Sequence, residues 1–93
     1  MDDKAVISHL EALADTLGVR IRYELIEGDT TFPEGGFCRV KDQQLIIINA
    51  RATLGEKIVV LIKALKRFDL SRVYLKPALR ELFEDRIENE LNH

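Results

Sequence analysis

Tryptophan is absent from these 93 residues, cysteine occurs once, and proline and histidine occur twice each. A lone Cys38 excludes an intrachain disulfide and any multi-cysteine zinc site, and it fits a reducing compartment. His9 and His93 are the only imidazoles, too few and too far apart in sequence to form a recognisable metal-ligand spacing. No apolar run approaches the ~20 residues that cross a bilayer, and Met1-Asp2-Asp3-Lys4 is no basic lead into an apolar segment. Excess charge of one sign is missing too: 14 basic against 16 acidic residues give a net −2, with no global field to draw nucleic acid or an anionic membrane. These absences point to a cytoplasmic protein. What is present is core material: 46% of residues are hydrophobic, enough for one compact domain spanning 1–93.

Val6, Leu10, Leu13 and Leu17 recur at helical spacing and predict a helix over 3–17, with Asp2 or Asp3 as its cap and Gly18 as its stop. From Val19 to Ile26 the period changes to two, with Val19, Ile21, Tyr23 and Leu25 on one face and Arg20, Arg22 and Glu24 on the other. A loop with Gly28-Asp29, Pro33 and Gly35-Gly36 follows. Phe37–Val40 and Gln44–Asn49 flank Lys41-Asp42-Gln43 as a hairpin, and Leu45-Ile46-Ile47-Ile48 is apolar throughout, which suits a central strand with two faces to cover. The expected strand order is 2-3-1, with the first and third strands parallel.

Thr53-Leu54-Gly55-Glu56 reads as a capping box that opens a second helix, with Leu54, Ile58, Leu61, Ile62, Leu65 and Phe68 facing inward. Val73, Tyr74 and Leu75 form a packed linker, and Pro77 starts a third helix carried by Leu79, Leu82, Phe83 and Ile87. The fold class is therefore α+β: one helix, a three-stranded mixed sheet containing a hairpin, then two helices.

Catalytic chemistry is hard to find. Cys38 has only His9 as a conceivable base and reads better as a packed strand residue. Glu81, Glu84 and Asp85 share one helix face with no second element opposite, which describes a solvated surface rather than an acid pair. Gly35-Gly36 leads into a strand, whereas a phosphate cradle leads into a helix. Gly36-Phe37-Cys38-Arg39-Val40 echoes an RNA-recognition strand, yet too few aromatics accompany it.

Charge is nevertheless local: residues 51–72 carry +4, while residues 1–18 carry −3. Lys63, Lys66 and Arg67 are neighbours on the second helix and, with Arg39, are the candidate contacts for an anion or for nucleic acid. A wet outer helix face would use the same charges. On the long loop, Phe32 and Pro33 are the candidate partner-binding residues, because an aromatic on an ordered loop often anchors a contact; the competing reading folds Phe32 back over the sheet edge.

Ile46-Ile47-Ile48-Asn49-Ala50-Arg51-Ala52-Thr53, with Glu56-Lys57 in the capped helix behind it, resembles the strand-to-active-helix segment of ImmA/IrrE-type zinc metallopeptidases. The resemblance spans about residues 10–68, and Asn49, Arg51 and their spacing to the helix are its specific part. In that family the helix carries His-Glu-x-x-His, two zinc ligands and a glutamate that activates water. Here Lys63-Ala64-Leu65-Lys66-Arg67 stands in that place, and cations at the ligand positions oppose a divalent metal. The resemblance thus implies a relative that keeps the core without the zinc. The expected function is a non-catalytic interaction module, with no cofactor and no membrane, that binds a protein partner or pairs with itself as a homodimer; the alternative is an anion or small-ligand site near the second helix, or, less expected, nucleic-acid binding through Lys63, Lys66 and Arg67.

Overall fold

A computed structural model describes residues 1–27 and 33–91, with the side chains of 85–91 left aside. Helix α1 (Asp3–Thr16) opens on Asp2, whose carboxylate accepts from the Ala5 amide at 2.8 Å, and ends at Gly18, which takes φ +75°. Strands β1 (Val19–Glu24), β2 (Gly35–Val40) and β3 (Gln43–Asn49) form one sheet in the order β1-β3-β2. The β1–β3 pair is parallel and the β2–β3 pair antiparallel, closed by a two-residue Lys41-Asp42 turn with Lys41 at φ +57°. Helix α2 (Leu54–Leu65) and helix α3 (Pro77–Leu91) follow.

The sheet order, the parallel crossover and the capping box all match the sequence expectations. Thr53 Oγ1 accepts from the Glu56 amide at 3.1 Å, and the Thr53 amide donates to the Glu56 carboxylate at 2.8 Å. The β1 strand stops two residues early: its apolar face runs out of core at Tyr23, and Leu25 lies exposed beyond it. Tyr74, expected to pack within the linker, is 81% exposed, while Leu75 beside it is buried. Leu54, expected to face inward, is 38% exposed at the first turn of α2, and Phe68 lies half-buried past its last turn.

Both α1 and α2 pack on the same sheet face. Val19, Ile46 and Ile48 are buried there with Leu10, Leu13, Leu61, Ile62 and Leu65, and Ile21 and Phe37 join at the margin. The strand register puts these residues in one alternating set, so a single face supplies the whole sheet side of this core. The other set holds Leu45, also buried, between Arg20 and Cys38. Leu79 and Phe83 bring α3 into the main cluster, whereas the side chain of Ile87, expected to do the same, falls outside the described part.

Tyr23 pins the three elements that meet at the end of β1. Its hydroxyl donates to the Glu11 carboxylate of α1 at 2.6 Å, and Lys57 of α2 sits 5.5 Å above its ring. The residue is 41% exposed overall, yet burial is the first cause that raises its phenol pKa, with the hydrogen bond and the negative charge of Glu11 adding to it. The folded chain therefore holds this proton more tightly than the unfolded chain does. The associated stability is complete below the ordinary tyrosine value of 10.0 and is lost as pH rises through and above it. Urea midpoints measured from about pH 8 to 11 should fall with pH for the wild type. They should fall less steeply for Tyr23→Phe, and parallel slopes would remove the Tyr23–Glu11 bond from the account.

Candidate functional site

The β2 strand forms one margin of the sheet, and α2 crosses the same face over β2 and β3. Between them lies an open groove of about 590 Å³ lined by Gly35, Gly36, Phe37, Val59, Val60 and Ala64, with Glu34, Glu56, Lys63 and Arg67 as its charged members. Its upper end is fixed by Asn49. The Asn49 amide donates to the Glu34 carbonyl at 2.9 Å, its side-chain nitrogen donates to the Pro33 carbonyl at 2.9 Å, and its side-chain oxygen accepts from the Arg51 amide at 3.0 Å. One side chain thereby ties the start of β2 to the end of β3 and to the turn into α2. The short 50–53 connection then starts α2 beside that end, which gathers Glu34 and Glu56 there.

The lower end is aromatic and basic. The Phe37 ring meets Phe68 edge-on at 6.1 Å, and the Arg67 guanidinium lies 4.4 Å above the Phe37 ring. Lys63 lies one helical turn before Arg67, so both line the groove. Arg39 follows Phe37 on the same face of β2 and is exposed. The groove is thus an apolar floor with an acidic end and a basic end.

Gly35 shapes the strand that forms the wall. It adopts φ +118°, a backbone region closed to other residues, and a side-chain carbon there would run into the Ile47 carbonyl. The Glu34–Asn49 bond begins the antiparallel ladder with Glu34 facing β3, so alternation turns the main-chain groups of Phe37 and Arg39 outward. Among the described residues no strand pairs with that outward row, which makes it the kind of edge that accepts another strand.

Of the residues singled out by sequence, Lys63 and Arg67 come together at the basic end of the groove, whereas Arg39 is not among its lining residues and lies exposed two residues beyond Phe37 on the same strand face. Lys66 departs from them: it caps α2 on the far side and lines a different depression with Phe68, Leu75 and Phe83. Pro33 is exposed, with its carbonyl held by Asn49, while Phe32 lies outside the described residues. Cys38 is half-buried and free on the opposite sheet face from the groove. Sequence reasoning missed Glu34, Gly35 and Glu56 as members of the site. The signal was there: a 2-3-1 order makes β2 an edge, and the capping box puts Glu56 at the helix start nearest to it.

Among the described residues, no group of three or more His, Cys, Asp or Glu side chains could hold a metal ion, and no helix is long and apolar enough to cross a membrane. Lys63 and Arg67, standing where the resemblance would place the two zinc-ligating histidines, both line this groove. No family model, no curated protein and no solved structure matches the chain.

Proposed function

We propose that the chain is a non-catalytic interaction module that docks an extended protein segment along β2, with side chains of that segment seated in the groove beside α2. The observation that carries this reading is the coincidence, on one wall, of an apolar groove and a sheet edge that no other described strand pairs with. Main-chain groups on the edge supply affinity whatever the partner's sequence, and the groove supplies selectivity. The charged ends favour a segment with a basic residue near Glu34 and Glu56 and an acidic one near Lys63 and Arg67. On this reading the chain is a relative of the metallopeptidases it resembles that has lost the metal ligands and kept the cleft for docking.

Lys63 and Arg67 also admit a second reading as an anion site, since both are exposed and both line the groove. The apolar floor and the two carboxylates in the same groove favour the protein segment.

A random-peptide display selection tests the main reading, with the chain immobilised sparsely enough that neighbours cannot pair. Wild type should retain extended peptides that the Arg39→Pro variant binds at least about tenfold more weakly, because proline removes an outward amide from the edge. Peptides held equally by both would remove the β2 edge as the docking surface.

A further inference from the structure

We propose that a natural occupant of the β2 edge is a second copy of this chain, paired β2 to β2 in antiparallel fashion about a two-fold axis through Phe37. This deepens the reading above and rests on the same edge being a docking surface. Three features of the groove fit a copy of itself.

The first is charge. A two-fold axis at Phe37 reverses the groove, so the acidic end of one copy meets the basic end of the other, and does so twice. Counting outward from Phe37, Arg39 of one copy lies opposite Gly35 of the second. With no side chain at Gly35, the guanidinium reaches Glu34 and Glu56, which line the groove beside it. The second feature is spacing. Strands pair about 4.8 Å apart, and α2 lies over both β2 and β3. Rotated about the two-fold axis, an α2 helix seated over β2 and β3 comes to about 10 Å from its counterpart, the distance at which helices pack. Val59, partly exposed on the groove side of α2, then meets the α2 helix of the second copy. The third is the edge itself: the outward groups of Phe37 find partners in Phe37 of the other copy and those of Arg39 in its Gly35, and the two three-stranded sheets become one of six strands.

A charge swap tests the pairing with exposed residues that leave the core alone. Arg39→Glu sets carboxylate against carboxylate in its own dimer, and Glu34→Arg sets cation against cation. The wild type should show twice the 10.7 kDa chain mass by light scattering. Each variant alone should need at least about tenfold higher concentration to dimerise, and an equimolar mixture of the two should dimerise like the wild type, because both contacts are then complementary. A mixture that stays as monomeric as its components overturns the proposal.

The register has its own test. Gly36 lies opposite Cys38 of the second copy, and a side chain at Gly36 meets open space. Gly36→Cys should therefore give a covalent dimer under mild oxidation, and adding Cys38→Ser should abolish it. Equal cross-linking with and without Cys38 overturns the register. A wild type that remains monomeric at millimolar concentration ends the self-pairing inference. The broader docking reading falls separately, if peptides bind wild type and Arg39→Pro alike.

Discussion

Gly35→Ala is expected to lower stability by about 2 to 6 kcal/mol, the sum of a strained backbone and an overpacked contact. At φ +118° only glycine is comfortable, and the added carbon would meet the Ile47 carbonyl, with the Ile48 Cα 2.9 Å away. Those atoms belong to the central strand and cannot withdraw without opening the β2–β3 ladder. For a domain of this size, each kcal/mol moves the thermal midpoint by roughly 4–8 °C, so the loss is large on the scale of total stability. Gly36→Ala is the control, because its carbon would meet nothing within 4 Å. It should change stability by less than about 1 kcal/mol. Equal urea midpoints for the two variants would mean that β2 does not enter the sheet through a glycine-specific bend. The same comparison bears on the groove, since the wall built from Gly35 to Phe37 moves whenever that bend is lost.

The elements and their order were legible because their signals are local. Asp2, Gly18 and the Thr53-Glu56 box mark helix ends by hydrogen bonds within a few residues, and all are used as the sequence suggests. Leu45–Ile48 announced the central strand because an apolar residue at every position suits a strand paired on both sides. The groove was harder to see. It joins β2 to α2 across some twenty residues of chain, and the pairing depends on Asn49 holding Pro33 and Glu34 beside the start of the helix. Asn49 and Arg51 drew attention through a resemblance, yet their bonds in this chain are ties between strand, loop and helix. Helical spacing also grouped Lys66 with Lys63 and Arg67. Lys63 and Arg67 stand about 40° apart around the axis, whereas Lys66 stands about 60° to the other side of Lys63, toward α3. Only the positions of β2 and α3 decide which of those directions is a site.

Leu61→Ala should cost about 2 to 5 kcal/mol, and Leu54→Ala less than about 1. The two leucines occupy the same predicted stripe of α2, and the sequence gives no reason to separate them. Packing does: Leu61 is fully buried among α1 and sheet side chains, whereas Leu54 is 38% exposed at the capped turn. The α1 helix is the reason. It packs along α2 more extensively than either helix packs on the sheet, and the α2 side chains of the core begin at Ile58, one turn after Leu54. Truncating Leu61 leaves a void bounded by rigid neighbours, while truncating Leu54 exposes a little more of an already wet surface. Chemical denaturation of both variants, read by far-ultraviolet circular dichroism, separates these outcomes. A small loss at Leu61 would require α2 to be rotated about its axis. Such a rotation would also carry Lys63 and Arg67 out of the groove, so this measurement on the core tests the surface proposed for docking.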